Sequence, residues 1–281
     1  MGVTRKVWIE YRDTREIALN NPVAIVGSPG LRSVGKLVVD VLVESLQPTL
    51  FAELFSYGFP CIYYGPSYLE APSHAGTLIE EGYVAKLPNV AIYVLKNEQP
   101  EDPEEEANGR DIVIIKGYQA YDAYNHYMVA DKLTDLFTEL NITRVISLGA
   151  QVIEEGIRCC ATDVGLLEEM SRYGIEMTQV DRFIGFSGLV TAIGREKGIE
   201  GVCLFASTVQ SSTDPESPDF GAAKELLEKV GEIVKLEVDT TDLEAKRRKE
   251  KEQLETGMER EREEELAEQR EREREELSGY V

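Results

Sequence analysis

Val23-Ala24-Ile25-Val26-Gly27-Ser28-Pro29-Gly30 is a short apolar run that ends in breakers, and Ser33 to Leu46 follows it at once. In that second stretch Val34, Leu37, Val38, Val41, Leu42 and Ser45 recur at helical spacing, and Pro48 stops the pattern. A buried strand, a tight turn and an amphipathic helix are therefore predicted in 24 residues. A strand with no polar alternation needs cover on both of its faces. The same signature recurs downstream. Asp111 to Lys116 encloses Ile112-Val113-Ile114-Ile115 and precedes a helix predicted over about 122–140. Arg144-Val145-Ile146-Ser147-Leu148-Gly149-Ala150 is a strand entering a glycine turn. Further strands are predicted at 5–11, 50–55, 61–64, 90–95, 157–161 and 202–206, and helices at 163–173, 187–197 and 220–236. Residues 97–109 and 211–218, rich in proline and acidic or small polar side chains, are predicted loops. The sum is an α/β fold, a sheet covered by helices on both faces.

The chain has 281 residues, 52 acidic and 30 basic, for a net charge of −22. Such acidity opposes nonspecific nucleic-acid binding and docking on an anionic membrane, because phosphates are repelled. No apolar run reaches the ~18–20 residues that span a bilayer, and no apolar signal segment follows Met1. Four cysteines, Cys61, Cys159, Cys160 and Cys203, lack a zinc or thioredoxin spacing and suit a reduced cytoplasmic setting as small core residues. The two histidines, His74 and His126, have no metal-type spacing. No cofactor is expected.

After Asp239 the composition changes. From Thr241 to Val281, 25 of 41 residues are charged, and Leu243, Leu254, Met258, Leu266 and Leu277 are too sparse for a heptad seam. Glu244–Arg248 and Glu268–Arg272 are well-oriented i,i+4 pairs. Three parts follow: a body over 1–239, a charged helical or partly disordered arm over 240–277, and a tail peptide over 278–281. A fully helical 243–277 would reach about 50 Å. The tail ends Gly279-Tyr280-Val281, an aromatic and a carboxylate suited to capture by a partner's pocket.

Four local patterns invite a chemical or binding reading. Gly30-Leu31-Arg32-Ser33-Val34-Gly35-Lys36 matches G-x-x-x-x-G-K, but Leu37 stands where a phosphate loop needs the Ser or Thr that binds Mg²⁺. The packing alternative is that Gly27 and Gly30 make a tight turn while Gly35 admits a close neighbour. Gly27, Gly30, Gly35 and Lys36 stay a candidate anion site, since a helix N-terminus offers free N–H groups. Gly185-Phe186-Ser187-Gly188 is G-x-S-G rather than a nucleophile elbow, and Ser187 is expected to cap the following helix. Asp122, Asp131 and Asp135 share a helix without a second carboxylate cluster, so no acid–base pair or other catalytic set is derivable. Tyr57, Tyr63, Tyr64, Tyr68, Tyr83, Tyr118, Tyr121, Tyr124 and Tyr127 form a Tyr-rich middle that suits subunit interfaces, a pocket or core packing.

In order along the chain, Ala24 to Gly35, Arg144 to Ala150, Gly185-Phe186-Ser187-Gly188-Leu189 and Gly198 to Thr208 resemble the proteasome assembly chaperone family, archaeal type, over roughly 18–237. The resemblance implies a fold similar to phosphorylase- and hydrolase-like α/β proteins, with Gly30 to Lys36 as the family's opening turn. It also implies a non-catalytic, cytoplasmic homo-oligomer that binds the α subunits of the 20S proteasome in assembly or activation. Archaeal-type members often end in a hydrophobic residue, Tyr and any residue. Tyr280 and Val281 fit that pattern, and Gly279 departs from it, which weakens docking. The alternative is a nucleotide- or nucleoside-binding enzyme using the Gly27–Lys36 turn at a strand's carboxyl end.

Overall fold

The computed structural model describes residues 7–12, 16–59, 78–80, 83–97, 109–118, 123–182, 185–209, 217–249 and 252. Contacts divide the chain into two compact units, Met1–Thr240 and Thr241–Val281.

The first unit is built on a nine-stranded sheet. Its middle holds four parallel strands in the order β7 (Ile112–Lys116), β2 (Val23–Gly27), β8 (Arg144–Val152) and β11 (Glu200–Thr208). On the β7 side, β6 (Val90–Leu95), β3 (Thr49–Ser56) and β1 (Val7–Tyr11) add on, each antiparallel to its neighbour. On the β11 side, β9 (Ile157–Ala161) runs antiparallel and β10 (Glu176–Met177) parallels β9. A separate hairpin pairs β4 (Leu78–Glu80) with β5 (Val84–Lys86).

Among the described residues five α-helices complete this unit: α1 (Val34–Leu46), α2 (Ala123–Glu139), α3 (Val164–Ser171), α4 (Phe186–Glu196) and α5 (Phe220–Val234). α1 and α5 pack on each other and on the central strands; on the opposite face α2 and α4 pack on each other, α4 against β8 and β11 and α2 against β1 and β3; and α3 lies against β9 and β10. The central strands are buried on both sides, which is why they read as unbroken apolar runs. Ile25, Ile114, Leu133, Phe137, Leu148 and Phe186 are among the largest fully buried side chains. The expectation of an α/β sheet covered on both faces holds.

Local signals bound the elements. Gln47 turns left-handed after α1 (φ 46°), so Pro48 follows a closed helix end. Asp163 and Asp219 accept the N–H of Leu166 and Ala222 and cap α3 and α5. Glu53 is fully buried in β3, yet Lys86 Nζ (2.9 Å), Asn89 Nδ2 (2.8 Å) and Arg12 converge on it, so its charge is compensated. The strand expected at 61–64 lies outside the described residues, as do most of both expected loops.

In the second unit residues 241–249 are helical, with an Asp242–Lys246 pair at 2.5 Å one turn apart. The expected Glu268–Arg272 pair and the tail lie outside the described residues.

Candidate functional site

The loop from Gly27 to Lys36 is positioned by backbone against backbone. A Cβ on Gly27 would stand 2.1 Å from Gly35 O and 2.7 Å from Val39 Cγ1. A Cβ on Gly35 would stand 2.6 Å from Leu148 O on β8. Only hydrogen fits at either place, so α1 lies directly on β2 and β8. Gly117 N–H, just after β7, donates to Gly27 O at 2.7 Å, and Ser28 is buried. The carboxyl ends of β2 and β7, whose helices leave to opposite faces, are tied together where an open sheet would hold a ligand.

Between β2 and α1, Arg32 and Ser33 both adopt left-handed backbone angles (φ 51° and 52°). That turn drives Arg32 inward until it is only 7% exposed. Its Nε donates to Ser217 O at 2.5 Å and Nη2 to Pro218 O at 3.2 Å, while Asp219 N–H donates to Arg32 O at 3.0 Å. A buried guanidinium thus fastens the turn to the segment that starts α5. Lys36 pairs with Asp40 one turn further on, and Asp40 also meets Lys116 Nζ at 2.6 Å.

On the opposite face, Ser187 corrects an expectation. It does not cap α4, because Gly185 holds that position and the helix begins at Phe186. Ser187 lies inside the first turn, buried, and a buried hydroxyl needs a partner. Pairing of β2 with β8 ends at Ser147, and Leu148 O just beyond accepts from Ser187 Oγ at 3.1 Å. Ser187→Ala is therefore expected to lower stability by about 1 kcal/mol, measured by urea unfolding.

The acidic residues of α2 are structural. Lys197 Nζ, at the end of α4, reaches Asp131 at 2.7 Å and Asp135 at 2.8 Å, clamping the two helices. Sequence reading missed this because the lysine stands more than sixty positions away. Asp122 lies outside the described residues. Of the tyrosines, Tyr118 is buried against Phe59 with ring centroids 4.6 Å apart. Tyr57, Tyr83 and Tyr127 are exposed, Tyr57 leaning on Trp8 at 5.1 Å. The side chains of Tyr63, Tyr64, Tyr68, Tyr121 and Tyr124 lie outside the described residues. Among the described residues no group of three or more His, Cys, Asp or Glu is placed to hold a metal ion, and no helix is long and apolar enough to cross a membrane.

The glycine-built turn, the strand at 144–150 and the α4–β11 segment thus meet around Leu148. The model described as the PAC2 family matches residues 24–258. The chain belongs to the PAC2 family. An uncharacterised protein of Methanocaldococcus jannaschii is 26% identical over 241 residues, covering 84% of this chain and 82% of that one. The crystal structure of Pyrococcus furiosus PbaB, described as an archaeal proteasome activator, superposes with a TM-score of 0.73. It is 24% identical and covers 91% of this chain and 100% of its own. Pyrococcus furiosus PbaA, described as an archaeal homolog of proteasome-assembly chaperone, gives 0.67 at 19% identity, with 98% and 100% covered. At these identities the likeness to PbaB and PbaA is one of fold. In this PAC2 chain Gly27 and Gly35 of the opening turn pack backbone against backbone, a close approach the motif alone does not show.

Proposed function

We propose that this chain is a non-catalytic, homo-oligomeric factor of the cytoplasm that binds the α subunits of an archaeal-type 20S proteasome in its assembly or activation. The match of the PAC2 family model to residues 24–258 carries this reading. It is supported by fold likeness to two Pyrococcus furiosus proteins, one described as a proteasome activator and one as an assembly-chaperone homolog. The body oligomerises, and each subunit offers Gly279-Tyr280-Val281 to the proteasome, with the Tyr280 ring as the contact group. Gly279 contributes no apolar side chain, so one tail binds weakly. Several tails on one oligomer raise avidity by ~10²–10⁴-fold.

Deleting Gly279–Val281 is expected to abolish co-elution with an archaeal 20S proteasome on size exclusion and to leave the melting temperature of the body unchanged. Co-elution that survives the deletion contradicts docking through the tail. Peptide hydrolysis by the mature 20S particle, with and without the chain, then separates activation from assembly.

A further inference from the structure

Beneath α4 an apolar sheet face carries a short run of polar atoms. Cys160 on β9 and Cys203 on β11 are directly opposed in the antiparallel ladder, so their side chains leave the sheet on the same side. Thr162 N–H donates to Gly201 O and Ser207 N–H to Gly156 O, both at 2.9 Å. These bonds fix the alternation of the ladder and make Cys160–Cys203 one of its hydrogen-bonded positions, with Cα atoms about 5.5 Å apart. Disulfides span Cα separations of about 4.4–6.8 Å, so this pair is within bridging range without moving either strand.

The two thiols differ in access. Cys203 is 1% exposed, and its Sγ lies 3.1 Å from Thr191 Oγ1, which in turn reaches Ser147 Oγ at 2.9 Å. Cys160 is only half-buried and lines a groove of about 610 Å³ with His126, Asp181, Gly185 and Leu189. Hydrogen bonding from Cys203 holds the Cys160 thiol below its ordinary pKa, against the opposing effect of burial. That same bond, with burial, pushes Cys203 well up. Burial and the neighbouring Cys160 push Cys159 up to about 11. Cys159 also points to the other face of the sheet, because side chains alternate along a strand.

We propose that Cys160 and Cys203 are a reversible dithiol–disulfide pair, entered by hydroperoxides at Cys160 and closed by Cys203 beneath it. The Cys160 thiolate attacks one oxygen of hydrogen peroxide, the O–O bond breaks, and the departing hydroxide takes up the proton that Cys160 released, leaving as water and giving a sulfenic acid. The Cys203 sulfur then attacks the Cys160 sulfur, the S–O bond breaks, and the departing hydroxide takes the Cys203 proton as water. Two thiols are oxidised by two electrons, one peroxide is reduced to two waters, and a dithiol reductant reverses the bridge.

The full-length protein carrying Cys61→Ser, treated with hydrogen peroxide, tests this by intact mass and peptide mapping. The expected result is a loss of about 2 Da, a peptide joining Cys160 to Cys203, a free Cys159, and recovery of the original mass with dithiothreitol. Adding Cys203→Ser, or Cys203→Ala, is expected to remove that loss and leave Cys160 as a sulfenic acid trapped by dimedone. An unchanged mass, a bridge that includes Cys159, or a bridge between two chains overturns the assignment. The peptide map of the Cys61→Ser protein decides the matter even where a Cys203 variant fails to fold.

Discussion

Gly27→Ala is expected to destabilise the body by about 3 kcal/mol or more, read as a fall of about 1 M or more in the urea midpoint. The reason is that no flexible side chain can yield. The added Cβ falls 2.1 Å from a backbone oxygen, Gly35 O, in the first turn of α1. Relief requires α1 to rise from β2 by about an ångström, a gap that forfeits much of the dispersion energy of the lining atoms. Val38, Val39, Val41 and Leu42 all stand on that buried face. Gly35→Ala meets the same barrier from the other side, 2.6 Å from Leu148 O. Gly30 is the internal control. Its backbone is extended (φ −167°, ψ −153°), and the nearest atom to an added Cβ is Ser28 O at 4.0 Å. Gly30→Ala is therefore expected to change stability by no more than about 0.5 kcal/mol. Equal effects of the two substitutions would contradict the packing role of the turn.

Gly279→Leu is expected to tighten binding to the 20S proteasome by about 10-fold or more per tail. Burying a leucine side chain contributes about 1.5–3 kcal/mol, and each 1.4 kcal/mol is tenfold in Kd. The gain compounds when several tails engage together. Bio-layer interferometry on immobilised 20S particles reads it as a slower dissociation. An unchanged Kd would mean that the residue before Tyr280 enters no apolar pocket.

The fold was legible where one physical rule dominates. Double-sided burial wrote β2, β7, β8 and β11 into the sequence as continuous apolar runs, and Pro48 marked the end of α1. Helical periodicity located α2 and α5 to within a few residues. What escaped depends on distant partners. Lys197 carries no local sign that it clamps Asp131 and Asp135, and Glu53 in an otherwise apolar strand gives no hint of Lys86, Asn89 and Arg12 around it. Ser187 looked like a cap because serine before an apolar helix usually is one. The Leu148 carbonyl on β8 accepts its hydroxyl instead. The pairing of Cys160 with Cys203 follows only from register, which forty intervening residues conceal. The glycines of the turn were visible as a pattern, but two explanations share that pattern. Only the distances to Gly35 O and Leu148 O show how closely Gly27 and Gly35 are packed.

Native mass spectrometry of the full chain, and of the chain lacking Gly279–Val281, each mixed with an archaeal 20S proteasome, tests the central claim most directly. The account predicts one homo-oligomer in both preparations and a complex with the proteasome only for the full chain. A complex that forms equally well without Gly279–Val281, or an oligomer that ignores the proteasome in both preparations, would contradict it.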